Sequence, residues 1–178
     1  MGLSYTEELV SEYYRHITDE KGFPKYMVAE HVHYQDKNAI TQVKGWIDID
    51  VLAISEDELC IIQTKAFAVF KDTVHESINS AIQYFKTAES FVLQRYAVKN
   101  KKIRKIFVAD YGFSANIQSQ LSKAGIEPFK LKDIFIEYLR LLQKLHPDLS
   151  LIGKEENNLT RIMVFILYSF EKELAAYH

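Results

Sequence analysis

The chain has 178 residues, of which 48% are hydrophobic and 26% charged, the balance of a folded globular protein rather than a disordered one. Its 22 Lys and Arg against 24 Asp and Glu give a formal net charge of −2, which excludes a nucleic-acid binder that works through bulk positive charge. The single cysteine, Cys60, excludes a disulfide framework and fits a reducing cytoplasm. The opening segment has no signal-peptide pattern, and no apolar run approaches the ~18 residues of a membrane span. We expect one soluble, cytoplasmic domain.

Apolar spacing predicts dense regular structure, because only three prolines and six glycines interrupt the chain. The predicted segments, in chain order, are a helix over 4–18, strands over 26–34, 46–55 and 59–69, a helix over 74–92, a strand over 106–109, a helix over 115–123 that begins after the N-cap Ser114 and stops at Gly125, a strand over 126–131, and helices over 132–145 and 159–170. A hairpin followed by helical crossovers implies an α/β fold with a mixed central sheet flanked by helices. We expect a core over 1–145 and a C-terminal helical extension over 146–178.

Four polar side chains lie on the predicted hairpin of the second and third strands. With the turn at 56–57, Asp50 is opposite Gln63 and Asp48 is opposite Lys65. Regular alternation then places all four on one face. Carboxylate and amide oxygens suit Mg²⁺ or Mn²⁺, and an ammonium group can stabilise a phosphate or position water. The alternative is a cross-strand salt-bridge patch on an exposed face, and a one-residue slip would scatter the four groups.

The same hairpin carries a motif that resembles a known family. The segment Gly45-Trp-Ile-Asp-Ile-Asp50, followed by Gln63-Thr-Lys65, resembles the split signature of the PD-(D/E)XK, or restriction-endonuclease-like, nucleases. The Gln-x-Lys form is similar to the Mrr-type restriction endonucleases. Further along, 106–134 resembles the family's strand, Phe-Ser-capped helix, short strand and final helix. The resemblance covers roughly 4–140.

The resemblance implies a role for each matching residue. Asp50 would be the central metal ligand, Gln63 would contribute an amide oxygen, and Lys65 would orient the attacking water or neutralise charge on the phosphate. The first helix of the family supplies one more acid near the metal. Glu7 is the better match for that acid, and Glu8 is its rival one residue on.

Two departures from the family pattern affect the expected metal site. Asp48 stands where Mrr sequences often have Gly, and Gln63 is neutral where the superfamily usually has an acid. A further acid is therefore expected to help hold the metal. The candidates are Glu7, Glu8, Asp48 and Glu30. If none of them reaches it, the protein would bind nucleic acid without cutting it.

We therefore expect a restriction-endonuclease-like fold and a metal-dependent deoxyribonuclease that uses Mg²⁺ or Mn²⁺ to hydrolyse phosphodiester bonds. No separate DNA-recognition module is visible in the sequence, which favours structure-directed or low-specificity cutting. The alternative is a catalytically inactive nuclease-fold module that binds nucleic acid or another partner. Asp50 and Lys65 on opposite faces of the sheet would favour an interaction protein.

Weaker candidates for DNA contact lie outside the hairpin. Gln83 is on the long helix, and Lys99, Lys101 and Lys102 belong to a basic segment over 99–105 that reads as a loop beside the site. The alternative for each of these residues is an ordinary solvated surface.

Three further features have simple expectations. His31 and His33 share one strand face, and a solvated or core-edge pair is favoured over a pair of metal ligands. Cys60 is expected to be buried on the face opposite Gln63 and Lys65. The final helix is apolar around much of its girth, which suggests a homodimer through that helix.

Overall fold

The computed structural model describes residues 5–35, 46–65, 74–96, 98, 100–110, 112–145 and 157–169. Several predicted positions lie outside these ranges: residue 4, Gly45, 66–69, Lys99, 146–156, and Phe170 with the residues after it. The helices are α1 (Tyr5–His16), α2 (Val74–Arg95), α3 (Ala115–Lys123), α4 (Leu131–Leu145) and α5 (Asn158–Ser169), and the strands are β1 (Met27–Gln35), β2 (Trp46–Ile54), β3 (Glu58–Lys65), β4 (Lys102–Ala109) and β5 (Ile126–Lys130). The predicted order of elements is confirmed.

The strands form one mixed sheet in the order β1-β2-β3-β4-β5. The first two pairings are antiparallel, and β3–β4 and β4–β5 are parallel. Antiparallel neighbours need only short connections, whereas parallel neighbours need a crossover, and here α2 and α3 provide the two crossovers. The expected α/β class, a mixed central sheet flanked by helices, is confirmed.

Apolar residues cover both faces of the sheet. On the side that we call the α2 face, strand residues pack against α2 and α3. On the other side, the α1 face, they pack against α1 and α4. The central strand β3 is therefore apolar on both sides, and its residues Leu59, Cys60, Ile61 and Ile62 have no exposed surface. Full burial of an aliphatic side chain contributes about 1.5–3 kcal/mol, so this run fixes the position of the polar residues that follow it.

Helix α3 begins and ends where the sequence predicts. The hydroxyl of Ser114 accepts a hydrogen bond from the backbone N–H of Ile117, the contact of an N-cap. Gly125 follows the helix with a φ of +71°, a left-handed conformation that costs glycine little and terminates the helix.

The last helix, α5, packs on the outside of α1 and α4. Met163, Val164 and Leu167 are buried there, and the hydroxyls of Tyr138 and Thr160 are hydrogen-bonded at 2.7 Å. The predicted extension thus contributes its own small core to this side of the molecule. A homodimer through α5 stays a prediction.

Across the described ranges, every helix is too short or too polar to span a lipid bilayer.

Candidate functional site

The β2–β3 hairpin has the predicted register near its turn. The paired residues run from Ile54 opposite Leu59 to Val51 opposite Ile62, and the backbone N–H of Ser55 donates to the carbonyl of Glu58. Continued beyond Val51, the same register would pair Asp50 with Gln63, but the regular pairing ends before that point.

The side chain of Asp50 takes the place of the backbone hydrogen bonds that are missing at this point of the β2–β3 pairing. In a regular antiparallel ladder, hydrogen-bonded pairs alternate, so Ile49 and Thr64 would be the next pair. Instead, the backbone N–H of Thr64 donates to Asp50 Oδ2 at 2.6 Å, and the Thr64 hydroxyl donates to the same oxygen at 3.2 Å. The carboxylate of Asp50 therefore lies in the gap where β2 and β3 separate.

The neighbouring β1–β2 ladder is interrupted at the same place. Its register is continuous from Met27 to Gln35 except at His31, which lies opposite Asp50. His31 has a φ of +48°, an uncommon conformation for a residue with a side chain and one that is found at functional sites. Both ladders beside Asp50 are thus locally broken.

The break changes the faces of β2. Ile49 packs on the α2 face and Val51 on the α1 face, although residues two apart share a face in a regular strand. The side-chain alternation of β2 therefore shifts by one residue at Asp50, although the β1–β2 register is the same on both sides of it. The Asp48 carboxylate is on the α1 face, where it contacts His31. The Asp50 carboxylate lies in the gap between β2 and β3, where it interacts electrostatically with Glu7 of α1 and with Tyr84 of α2.

Gln63 and Lys65 lie on the other side of the sheet. They are in parallel register with Phe107 and Ala109, and both of those residues pack on the α2 face. This differs from the single face that regular alternation predicts for the four polar groups. The reason is the shift in alternation at Asp50, since β3 keeps its alternation while β2 does not.

The structure brings a second set of polar residues together on the α1 face. We call Glu7, His31, Asp48 and Asp50 the acidic cluster. His31 Nδ1 is 3.3 Å from Asp48 Oδ2, and His31 Nε2 is 3.7 Å from Glu7 Oε2. Glu7 reaches the cluster because it lies in the first turn of α1, which packs over β1 and β2.

Electrostatics distinguish Asp50 from an ordinary surface carboxylate. Burial raises its pKa to about 6, and the charges of Glu7 and Asp48 act in the same direction, against the hydrogen bonds from Thr64. Burial is the larger cause, and the nearby charges of Glu7 and Asp48 add a negative field at Asp50. Such a field favours a bound cation.

Two other acids lie near this end of the sheet. Asp110, which directly follows β4, accepts hydrogen bonds from Tyr5 and from Thr6, the latter at 3.1 Å. Glu30 instead accepts from Ser11 and pairs with Arg15 at 2.9 Å, so that candidate metal ligand is part of an ion pair.

Between the two rival acids of α1, it is Glu7 whose charge acts on Asp50. Glu8 is half-buried on the same helix. Asp110 was not among the residues predicted from the sequence, although an acid at the carboxyl end of a buried strand is a recognisable signal.

Helix α2 contacts the site from the opposite face. The Tyr84 hydroxyl donates to the backbone carbonyl of Asp48 at 3.0 Å, and burial, followed by the charge of Asp50, raises the pKa of Tyr84. Gln83 is exposed beside it and faces an open depression. That depression is lined by Ile47, Asn79, Ser80, Gln83, Tyr84 and Thr87.

The predicted basic loop lies elsewhere. Lys102 begins β4 and pairs with Glu58, and the Lys101 ammonium donates to the carbonyls of Ser55 and Glu56 at 2.7 and 2.6 Å. Because β4 is parallel to β3, its start lies beside the hairpin turn, roughly 17 Å along the sheet from the acidic cluster. Lys101 lies in a loop as expected, whereas Lys102 is already part of β4. The expectation that the segment lies beside the site is wrong for both residues.

The remaining expectations concern two residue types. Cys60 is fully buried on the α1 face, opposite Gln63 and Lys65 as predicted, and burial raises the pKa of its thiol to about 12. The rings of His31 and His33 are stacked with centroids 6.5 Å apart, but only His31 lies within the acidic cluster.

Comparison with known proteins leaves the family open. No family model matches the chain, and no curated protein matches it. Among solved structures, it is similar to a crystal structure of a protein of unknown function, AF1548, with 16% sequence identity and a TM-score of 0.47. The match covers 71% of this chain and 56% of that chain, so the chain spans little more than half the length of that protein.

Proposed function

We propose that the protein is a metal-dependent deoxyribonuclease with a restriction-endonuclease-like fold. The observation that carries the proposal is the position of Asp50: a largely buried carboxylate, at the one point where both neighbouring ladders break in the described sheet, beside Glu7 and Asp48. This is also the Asp of the nuclease-like motif. Structural carboxylates are normally matched with cations, so a convergence of carboxylates supports a functional site.

The residues fit a divalent cation by their chemistry. Glu7, Asp48 and Asp50 supply carboxylate oxygens, the donors that Mg²⁺ and Mn²⁺ prefer. In the part of the chain that the structure describes, no group of three or more His, Cys, Asp or Glu side chains is already arranged to enclose a metal ion. Magnesium sites commonly use one or two carboxylates and complete the shell with water and substrate phosphate, so an incomplete protein shell is compatible with the proposal.

The chain's own residues would divide the work. Asp50 and Glu7 would hold the cation, and the Thr64 N–H fixes the orientation of the Asp50 carboxylate. A bound Mg²⁺ or Mn²⁺ supplies Lewis-acid stabilisation of the charge that develops on phosphate. Lys65 is exposed at the end of β3, where its ammonium can contact a DNA phosphate that lies across the sheet edge.

A second candidate function, binding without cleavage, is supported by the separation of the polar groups of β2 and β3. Gln63 and Lys65 lie on the α2 face, whereas Asp48 is on the α1 face and Asp50 lies in the gap between β2 and β3. A catalytic site of the nuclease type needs these groups around one phosphate. Their separation favours a nuclease-fold module that binds nucleic acid or another partner without cutting it.

A cleavage assay separates the two candidates. Supercoiled plasmid, linear duplex, single-stranded and four-way-junction DNA are incubated with the purified chain in Mg²⁺, Mn²⁺ or EDTA. The variants are Asp50→Ala and Lys65→Ala, with Glu56→Gln as the matched control because Glu56 is an exposed acid at the far end of the hairpin. Circular dichroism and gel filtration verify that each variant is folded.

If the protein is a nuclease, we expect cutting that needs the metal, that falls by roughly 10³-fold in Asp50→Ala and that is unchanged in Glu56→Gln. A folded chain that binds DNA but cuts none of the substrates supports the second candidate. Cutting that survives Asp50→Ala contradicts the assignment of the site.

A further inference from the structure

His31 is held between two carboxylates. Its Nδ1 lies 3.3 Å from Asp48 Oδ2, and its Nε2 lies 3.7 Å from Glu7 Oε2. The Nε2 atom is buried and has no hydrogen-bond partner within the described residues. A buried polar atom without a partner is costly and calls for an explanation.

The environment of Nε2 depends on which ring nitrogen of His31 carries the proton. A neutral imidazole carries one N–H and one lone pair, and the shorter contact, to Asp48, places the N–H on Nδ1. The lone pair of Nε2 then faces an oxygen of the Glu7 carboxylate. Two acceptors that face each other repel, whereas a proton or a metal cation between them would be bound by both.

The distance agrees with shared ligation. At 3.7 Å the Nε2–Oε2 pair is too long for a hydrogen bond. Two ligands with metal bonds of about 2.1 Å lie about 3.4 Å apart at the tetrahedral angle. Only a small movement of either side chain is needed to close this difference.

The contact with Asp48 is the one that metal-binding histidines usually make. A ligating imidazole almost always donates its other ring N–H to a carboxylate, a backbone carbonyl or water, which fixes the ring and the tautomer. The left-handed backbone at His31 turns the ring toward α1 at the expense of regular pairing with β2. Strain of this kind is retained where the residue has a function.

We propose that His31 Nε2 and Glu7 Oε2 are two ligands of one divalent cation, and that the nitrogen makes this site prefer a first-row transition metal over Mg²⁺. Imidazole binds transition metals such as Co²⁺ and Zn²⁺ well, whereas Mg²⁺ demands oxygen ligands. The assignment deepens the proposed nuclease function and rests on it for the catalytic use of the cation. Binding itself is measured without DNA.

The test uses the full chain with three variants. His31→Asn removes the imidazole but keeps a residue that tolerates positive φ. Glu7→Gln removes the facing charge, and His33→Asn is the matched control on the same strand. Isothermal titration with CoCl₂ and MgCl₂ gives the affinities, and pulsed electron paramagnetic resonance of bound Mn²⁺ reports whether a nitrogen is coordinated.

We expect Co²⁺ to bind at least tenfold more tightly than Mg²⁺ and bound Mn²⁺ to show nitrogen coupling. His31→Asn should abolish that coupling and weaken Co²⁺ binding by 10- to 100-fold, and Glu7→Gln should weaken it by a similar factor, whereas His33→Asn changes neither. Equal affinities for Co²⁺ and Mg²⁺, or nitrogen coupling that survives in His31→Asn, overturns the proposal.

The two proposals can fail separately. Nitrogen-coordinated metal in a chain that cuts no DNA leaves the metal site intact and removes the nuclease. Metal-dependent cutting without nitrogen coordination keeps the nuclease and overturns the role of His31.

Discussion

The charged residues at the two ends of β3 are arranged differently: opposite charges are paired at the hairpin end, and like charges lie together at the other end. At the hairpin end, Glu58 accepts a hydrogen bond from Tyr26 and lies 3.4 Å from Lys25 and 3.6 Å from Arg104. Arg104 in turn forms a two-point contact with Glu127, at 3.0 and 2.6 Å. Each of these four charges has an opposite charge as a neighbour, and the strands keep their register there.

At the other end, carboxylates gather around a single histidine and both ladders beside β2 break. The contrast is visible in the pKa values: partners at the hairpin end, the Tyr26 hydroxyl and Arg104 foremost, lower the pKa of Glu58 despite its burial, whereas burial and like charges raise that of Asp50. Matched charges stabilise the native state, and like charges cost stability unless a ligand compensates. The comparison therefore separates a structural network from a functional one.

The largest expected effect comes from removing the charge of Asp50. Its pKa is about 6 in the folded chain against an ordinary 3.8, so between pH 4 and 6 the unfolded chain releases a proton that the folded chain retains. Stability should therefore fall as pH rises through this window, by about 2–3 kcal/mol, and stay level above it. Asp50→Asn cannot titrate and should lack this fall.

Chemical denaturation of both proteins in EDTA, from pH 4 to 8, measures this. The quantity to follow is the difference in unfolding free energy between Asp50→Asn and the wild type, because other titrating groups cancel. A difference that does not change with pH would show that Asp50 ionises normally.

A smaller effect is expected at the hairpin end. Arg104→Met leaves the part-buried Glu58 without its guanidinium neighbour and Glu127 without its two-point contact. We expect a loss of about 2 kcal/mol in unfolding free energy, with DNA cleavage within twofold of wild type. Arg140→Met is the matched control, because its ion pair with Glu137 is exposed and should contribute less than about 0.5 kcal/mol.

Thermal and urea unfolding of both arginine variants, run beside the plasmid assay, would show this. Loss of cleavage in a folded Arg104→Met protein would mean that the hairpin end takes part in function, and the distinction between the two ends would be lost.

The smallest effect is expected at the turn itself. Lys101→Met removes two hydrogen bonds to the carbonyls of Ser55 and Glu56, which should cost about 1 kcal/mol. Affinity for duplex DNA, measured by fluorescence anisotropy, should stay within twofold, as in the exposed control Lys123→Met. A drop of fivefold or more in Lys101→Met alone would place DNA at the turn.

Most of the fold was predictable, because its signals are local. Helical and strand spacing gave the order of all ten elements, and the turn after Ser55 gave the hairpin register down to Val51. A short turn and the periodic spacing of apolar residues are set by neighbouring residues and do not depend on contacts with distant parts of the chain. The buried Cys60 and the capped helix after Ser114 follow from the same local rules.

The site was predictable only in part. Asp50, Asp48 and Glu7 do converge, but the convergence depends on α1 crossing β2, and no spacing within the sequence encodes that crossing. The role of His31 depends on its positive φ angle. Histidine can adopt such an angle, but the residue type alone does not predict it.

What the sequence determined by itself is the set of elements, their order and the register of the hairpin, since each rests on periodicity over a few residues. Tertiary structure decided which polar groups meet. The shift in alternation at Asp50 put the Asp48 and Gln63 side chains on opposite faces, and the parallel crossover put Lys101 at the far end of the sheet. Both outcomes depend on contacts between segments that are distant in the chain, and a one-residue slip in one strand is enough to reverse a face.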